Sequence, residues 1–299
     1  MNLSKRLAII LLVLILIIPS KVTLAETNVA FLNTVNISTW LWDTQEIVSN
    51  PDNIIKFLEE NNVNVLYLQI DYNLKNDYYN EFISEASKVN ISIQALDGSP
   101  DWVCTDGENL QNTFFDWVTQ YQKSSLENQR FKGIHLDVEP YENGKYLSDP
   151  NLVIQEYQEY ILRAKKRSNK LDLNLGIDIP FWFYGTKYNT QYGNGNLAEW
   201  IFKKIKTVSI MAYRDIALGE NGIINIAKRE MNLCEKYNVQ ATIAVETGKL
   251  TECGAVTFYE EGEACMYNQL NIVYKKYSNN VAFNGFAIHY LDSWMNMKN

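Results

Sequence analysis

The residues best suited to chemistry lie in one short stretch, Phe131 to Tyr141. Alternate side chains of a β-strand point to opposite faces, so His135, Asp137 and Glu139 are predicted to share one face at intervals of about 6.6 Å. Ionisable groups are buried only where they are paired, hydrogen-bonded or needed for chemistry. Pro140 is expected to end the strand directly after Glu139, which places both carboxyl groups at its C-terminal end.

Two carboxyl groups beside one sugar ring are the groups that glycoside hydrolysis needs. One protonates the leaving oxygen, and the other attacks or stabilises the anomeric carbon. A neighbouring negative charge and burial raise the pKa of the acid and keep it protonated. We therefore predict catalytic roles for Glu139 and Asp137. The sequence contains no GxSxG, Walker or HExxH motif, and we expect neither a metal nor another cofactor.

The elements that must position these side chains alternate regularly between strand-like and helical segments. The predicted strands are Asn36–Asp43, Val63–Asp71, Ile91–Asp97, Phe131–Glu139, Leu171–Ile179, Thr207–Tyr213, Gln240–Glu246 and Phe283–Leu291. Eight repeats in this length predict an α/β fold, a single (β/α)8 TIM barrel over residues 26–299, since such barrels have about 250 residues. An open, doubly wound sheet is the alternative, but no GxGxxG motif follows the first strand.

Nearly every predicted strand ends in an acid, and barrel enzymes carry their catalytic residues at these ends. Acids at such junctions also cap the following helices. Capping accounts for Asp43 and Asp97, and Asp71 fits either role. Tyr213 is a further catalytic candidate. The residues expected to bind substrate are Asp71, Asp178, Asp215, Glu246 and His289.

Aromatic residues make up 13% of the chain, which suits the stacking platforms of sugar-binding enzymes. Trp182 and Trp294 are the aromatic residues expected to contact substrate. Other side chains near the predicted rim are Trp40, Trp42, Trp102 and Tyr184. For each of them, packing beneath a loop is the alternative role.

The N-terminus has the form of a secretory signal peptide over residues 1–25. Lys5 and Arg6 precede an apolar run from Leu7 to Ile18, and small residues lead to a cleavage site near Ala25. The run is short for a membrane span, so we expect secretion, with membrane attachment only through an uncleaved signal. The net charge of −8 argues against nucleic acid as a partner, and an oligosaccharide or polysaccharide is the expected partner.

Four cysteines in a secreted chain permit disulfides. Cys253 and Cys265 lie in one connection and could be paired. Cys234 falls in a predicted helix, where a buried free thiol fits the sequence as well as a disulfide does. The sequence does not indicate a partner for Cys104.

Two motifs resemble those of a known family. Residues 132–139 (KGIHLDVE) resemble the DGxDxDxE signature on the fourth strand of family 18 glycoside hydrolases, the chitinases and N-acetylglucosaminidases, and residues 211–213 (MAY) are similar to that family's Met-x-Tyr. The resemblance implies a TIM barrel that cleaves N-acetylglucosamine-containing glycans, chitin-like or peptidoglycan-like, with Glu139 as general acid. It implies that Asp137 orients the substrate's N-acetyl group, whose carbonyl is the internal nucleophile, and that Tyr213 hydrogen-bonds to this group.

The sequence departs from the family at three positions. Lys132 and His135 replace the first two acids of the signature, and His289 stands where the eighth-strand tryptophan would fall. A chitinase-like carbohydrate-binding protein without turnover is therefore one alternative, and a barrel hydrolase with a non-sugar substrate is another. A third is a retaining glycosidase that uses Glu139 and Glu246, although Val138 replaces the asparagine that precedes the acid in those enzymes.

Overall fold

A computed structural model describes residues 30–103, 107–250 and 254–298, and eight of its strands close into a parallel barrel. The barrel strands are β1 (Asn36–Leu41), β2 (Val65–Gln69), β3 (Ser92–Asp97), β4 (Gly133–Leu136), β5 (Asn174–Pro180), β8 (Thr207–Met211), β9 (Gln240–Glu246) and β10 (Phe283–His289). Strand β1 closes the barrel by pairing with both β2 and β10. The predicted TIM barrel is confirmed. The predicted signal peptide lies outside the described residues.

Helices follow the strands and cover the outside of the barrel. Their bounds are Glu46–Ser49, Pro51–Glu60, Asn76–Lys88, Gly107–Ser124, Pro150–Leu171, Leu197–Phe202, Ile223–Tyr237, Glu263–Tyr277 and Leu291–Met295. The helix Pro150–Leu171 begins with its proline in the first turn, and the Asp149 side chain accepts a hydrogen bond from the Leu152 backbone N–H. Asp172, the residue after the helix, has a left-handed backbone conformation that terminates it.

The predicted fourth and fifth strands differ from the observed ones. Strand β4 ends at Leu136, so Asp137 and Glu139 lie just beyond the strand, not within it as predicted. Pro140 then opens a short 3-10 turn. Leu171 belongs to the preceding helix, and β5 begins only at Asn174. The end of β4 is set by its pairing partners β3 and β5, which local alternation does not reveal.

A small antiparallel hairpin, β6 (Lys187–Thr190) and β7 (Gly193–Asn196), stands outside the barrel and was not predicted. Its residues are mostly Asn, Thr, Gly and Lys, so they give no apolar alternation from which to infer a strand. Asn196 ends the hairpin and caps the next helix, because its side chain accepts a hydrogen bond from the Glu199 backbone N–H.

Apolar side chains fill two layers, one between strands and helices and one inside the barrel. The inner layer is built from Trp40, Tyr67, Leu96, Ala244 and Ala287. Two residues of this layer are aromatic and two are alanines, which follows the usual filling of a barrel interior by large and small side chains. This inner layer forms the floor on which the candidate site rests.

Within the described ranges, no helix is long and apolar enough to span a membrane, and no group of three or more metal-ligating side chains is present. Cys234 is a buried free thiol in the helix Ile223–Tyr237, where burial raises its pKa. Cys104 and Cys253 lie outside the described residues, so pairing of Cys253 with Cys265 stays a prediction.

Candidate active site

A cavity of about 310 Å³ opens at the C-terminal ends of strands β4, β5, β8 and β10. Five predicted site residues line it together: Asp137, Glu139, Trp182, Tyr213 and His289. The rest of its wall consists of Tyr141, Pro180, Phe181, Met211, Arg214 and Val256. The carboxyl end of the barrel therefore holds two carboxyl groups in a pocket with largely aromatic and apolar walls.

Glu139 is the residue of this cavity that is best placed to transfer a proton. It precedes the 3-10 turn Pro140–Glu142 and is half-buried. Burial, with the negative charges of Asp178 and Glu142, raises the pKa of Glu139 to about 7. A carboxyl group with this pKa is protonated in a large fraction of molecules near neutral pH, which a general acid requires.

Asp137 has a carboxyl oxygen that lacks a protein partner. Its Oδ1 is buried and accepts no hydrogen bond from any described residue. Burial and the charges of Asp178 and Glu139 raise the pKa of Asp137 well above its usual value. Its backbone is fixed by a 3.1 Å hydrogen bond from the Asp137 N–H to the Asp97 carbonyl oxygen. This oxygen is therefore open to a hydrogen bond from a ligand or from water.

The backbone of Asp137 also lies against Gly98, the residue that follows β3. A Cβ atom at Gly98 would stand only 1.8 Å from the Asp137 carbonyl oxygen. Only glycine permits this approach, so the position of Asp137 depends on the absence of a side chain at residue 98.

Beneath the two carboxyl groups, Asp178 holds a buried network together. The His135 Nε2 lies 2.9 Å from Asp178 Oδ1, and the Trp40 Nε1–H donates to Asp178 Oδ2 at 3.1 Å. The Tyr67 ring stacks on the His135 imidazole with ring centroids 3.7 Å apart. Because a carboxylate can only accept, the geometry places the proton of His135 on Nε2. Asp178, predicted to bind substrate, lies below the cavity and fixes His135.

The pairing of β4 with β5 brings this network together. The register pairs His135 with Gly176, and a Cβ atom at Gly176 would lie 2.9 Å from the imidazole Nδ1. Gly176 therefore leaves the space that His135 occupies. Sequence reasoning missed this glycine, because its importance depends on a side chain of the neighbouring strand. Lys132, in contrast, is exposed, and its amine donates to the Glu127 carbonyl oxygen, away from the cavity.

A second chain of hydrogen bonds fixes His289. The Trp42 Nε1–H donates to His289 Nε2 at 3.0 Å, so the imidazole proton resides on Nδ1, which donates to Glu246 Oε2 at 2.7 Å. The other oxygen of Glu246 accepts from the Thr247 and Gly248 backbone N–H groups. Glu246 is buried and its partners occupy both oxygens, so it supports His289 and does not line the cavity.

Tyr213 stacks on His289 with ring centroids 5.8 Å apart and an interplanar angle of 28°. Burial and the charges of Glu246 and Asp178 raise the pKa of its hydroxyl group well above its usual value. The hydroxyl group therefore stays protonated and is available as a hydrogen-bond donor in the cavity.

Aromatic side chains form the wall beside Glu139. The rings of Tyr141 and Trp182 lie 4.9 Å apart at 63°, and the Arg214 guanidinium lies over the Phe181 ring at 5.3 Å. Exposed ring faces of this kind pack against the apolar faces of sugars. Trp182, which was predicted as a platform, lies in this wall.

Three other predicted site residues lie outside the lining of the cavity. Asp71 accepts hydrogen bonds from the Gln45 side chain and the Asn73 backbone within the loop after β2. The Asp215 backbone N–H donates to the Ala255 carbonyl oxygen. Trp294 is only 2% exposed, and its indole N–H donates to a carboxylate of the last long helix.

The comparisons with known proteins match the fold of family 18 chitinases. No protein family model matches the sequence, and no curated protein matches it. Among solved structures, the chain is similar to the GH18 chitinase from Cycas revoluta in complex with allosamidin, with a TM-score of 0.55, 10% identity, and coverage of 86% of this chain and 95% of that chain. A mutant of that chitinase with (GlcNAc)4 gives a TM-score of 0.54 at 9% identity and the same coverage.

The C-terminal domain of a putative chitinase from Desulfitobacterium hafniense gives a TM-score of 0.51 at 9% identity, and the match covers 87% of this chain and 94% of that chain. At these identities the likeness establishes the fold. The chain therefore has a chitinase-like TIM barrel, as the resemblance in the sequence implied.

Proposed function

We propose that the protein is a glycoside hydrolase that cleaves N-acetylglucosamine-containing glycans, with Glu139 as the general acid. The observation that carries this proposal is the position of Glu139 in a cavity at the carboxyl end of the barrel, with its pKa raised to about 7. The protonated carboxyl group donates its proton to the glycosidic oxygen as the bond to the leaving sugar breaks. General acid catalysis of this kind contributes roughly 10²–10⁴-fold to the rate.

Asp137 and Tyr213 act on the N-acetyl group of the substrate. The buried Oδ1 of Asp137 receives the amide N–H, and the Tyr213 hydroxyl group donates to the acetyl oxygen as it approaches the anomeric carbon. The unpartnered oxygen of Asp137 and the protonated hydroxyl group of Tyr213 support these roles. The crystallisation of a chitinase of the same fold with (GlcNAc)4 supports the choice of sugar.

The network below the cavity favours turnover over binding alone. His135 replaces an acid of the family signature, but its imidazole is paired with Asp178, so a negative charge still lies beneath Asp137 and Glu139. A protein that only binds sugar has no need for a charge that raises the pKa of an acid at the rim. The presence of Lys132 in place of the first acid does not bear on the cavity, because the Lys132 side chain lies elsewhere.

A covalent route through Glu246 is disfavoured by its contacts. Both carboxylate oxygens accept hydrogen bonds from Thr247, Gly248 and His289, and the side chain does not line the cavity. A nucleophile needs an oxygen within reach of the anomeric carbon. The supporting role toward His289 fits these contacts better.

Hydrolysis of chromogenic N-acetylglucosamine oligomers tests the proposal. We expect turnover by the purified protein and a loss of at least about 10²-fold in kcat for Glu139→Gln, with binding of the oligomers retained. A thiazoline inhibitor that competes with substrate would support the internal nucleophile. Binding without turnover by both proteins would favour the carbohydrate-binding alternative, and absence of both would refute the choice of sugar.

Secretion is part of the proposal, and the signal-like residues 1–25 support it. Mass spectrometry of the protein from the culture medium of an expressing cell tests it. An N-terminus near residue 26 is expected, whereas retention of the whole chain in the membrane fraction would contradict cleavage.

A further inference from the structure

A second cavity, of about 550 Å³, adjoins the candidate active site. Phe181 lines both cavities, so they meet at this side chain. One wall of the second cavity is the 3-10 turn Phe183–Gly185, which contributes Tyr184, and the other is the helix Ile223–Tyr237 with the loop before it. A glycan long enough to pass Phe181 would contact both cavities.

The helix presents a polar face to this cavity. Asn225, Lys228, Arg229 and Asn232 follow one another at intervals of three, one and three residues and line the wall together. The Arg229 guanidinium lies 4.5 Å above the centre of the Tyr184 ring. Within the described residues, neither Lys228 nor Arg229 forms a salt bridge, unlike Lys236 on the same helix, which pairs with a glutamate.

Two acidic residues stand near these cations. Glu220 lines the cavity and is exposed. Glu230 is buried behind the wall, where its Oε1 accepts a hydrogen bond from the Tyr184 backbone N–H. Burial raises the pKa of Glu230 to about 8, which favours its uncharged form near neutral pH. In the lining itself, two cationic side chains stand against one carboxyl group, so the cavity retains an excess of positive charge.

A third cation, Arg214, lies beside the side chain that both cavities share. Arg214 lines the first cavity, lies over the Phe181 ring, and donates from its guanidinium to the Tyr213 carbonyl oxygen. With Arg229 and Lys228 it places positive charge on both sides of Phe181. The chain as a whole carries a net charge of −8, so this concentration of cations along one groove is not a reflection of the overall composition.

We propose that the second cavity binds a carboxylate group carried by the glycan, so that the substrate is an acidic polymer in which N-acetylglucosamine alternates with a carboxylated sugar. This inference rests on the proposed function. Arg229 would bind the carboxylate through paired N–H groups, and Lys228 would add a point charge. A neutral N-acetylglucosamine polymer offers neither cation an anionic partner.

Three oligosaccharides of equal length test this inference: a neutral N-acetylglucosamine oligomer, one alternating with N-acetylmuramic acid, and one alternating with glucuronic acid. The first carries no carboxylate, the second carries it on a lactyl ether, and the third on the sugar ring. The variants are Arg229→Gln and Lys228→Gln, with Lys123→Gln as a charge-matched control on an exposed site remote from both cavities.

We expect a higher kcat/KM for one of the acidic oligomers than for the neutral one. The preference is the kcat/KM for that acidic oligomer divided by the kcat/KM for the neutral one. Arg229→Gln should lower this preference about three- to tenfold. Raising the salt concentration should lower it as well, because the cavity is open to solvent. Lys123→Gln should leave the preference unchanged. The better acidic oligomer identifies the source of the carboxylate.

An equal or higher kcat/KM for the neutral oligomer, or a preference that survives Arg229→Gln, would overturn the inference. Failure of the proposed function gives a different result, namely no turnover of any oligomer. Calorimetric binding of the same oligomers then decides the question for the cavity alone: tighter binding of an acidic oligomer that Arg229→Gln abolishes supports the carboxylate site, and equal affinities overturn it.

Discussion

Asp178→Asn separates the charge of Asp178 from its structural role. Asparagine has the same shape, and its oxygen can accept the hydrogen bond from Trp40. Its amide can donate to Nε2 of His135 once the imidazole proton moves to Nδ1. The buried network can therefore persist without its negative charge. The charge matters because it is among the causes that raise the pKa of Glu139.

The strand register gives the size of the effect. Leu136 pairs with Ile177, so Asp178 lies beside Asp137, and Glu139 follows two residues later. If strand spacing is applied to the chain just past the end of β4, two residues span about 6.6 Å and neighbouring strands lie about 4.8 Å apart, which gives about 8 Å between the Cα atoms of Asp178 and Glu139. Two charges at this distance interact by roughly 0.5–2 kcal/mol for effective dielectric constants of about 80 and 20. This energy corresponds to about 0.4–1.5 pH units.

The direction follows from the role of Glu139 as an acid. Its protonated form is active, so kcat/KM of the parent should fall as the pH rises through about 7, the raised pKa of Glu139. Removal of the Asp178 charge stabilises the ionised form of Glu139 and lowers its pKa. The alkaline limb of the kcat/KM profile should therefore move to lower pH by about 0.4–1.5 units. The kcat/KM profile is the one to measure, because it reports the free enzyme.

Glu142→Gln is the matched control. Its charge also raises the pKa of Glu139, but the side chain is exposed, so water and salt screen it. A smaller shift, which disappears at high salt, is expected. If Asp178→Asn folds normally and its alkaline limb stays in place or moves to higher pH, the charge of Asp178 does not act on Glu139 as argued.

Two further substitutions probe the supports of the site. Gly98→Ala introduces a methyl group 1.8 Å from the Asp137 carbonyl oxygen, so we expect a loss of stability of about 1–3 kcal/mol on thermal unfolding and a drop of more than about tenfold in kcat/KM. Gly144→Ala, which meets no atom within 4 Å, should change neither. Glu246→Gln places an amide N–H opposite the Nδ1–H of His289, so the His289 ring loses its hydrogen-bond acceptor. We expect kcat/KM to fall about 10- to 100-fold. A loss near 10⁶-fold would instead identify Glu246 as the nucleophile.

The sequence was sufficient to predict the barrel and the two central carboxyl groups. Regular alternation of apolar strands and amphipathic helices is a local property, and it indicates eight repeats without knowledge of any long-range contact. The spacing of Asp137 and Glu139 likewise places them near one another whether the strand ends at Leu136, as observed, or after Glu139, as predicted. Trp182 and Tyr213 were found from their places at the strand ends, which the barrel brings together.

Only the tertiary structure decided what surrounds those carboxyl groups. Trp40, His135 and Asp178 come from three different strands, and their contacts exist only once the barrel closes and fixes the register of β4 against β5. The same is true of Glu246, whose partners turn it away from the cavity. Trp294 had the residue type of a sugar platform but is buried. Residue type and spacing determine which side chains are available, whereas closure of the barrel determines which of them are already occupied by another part of the chain.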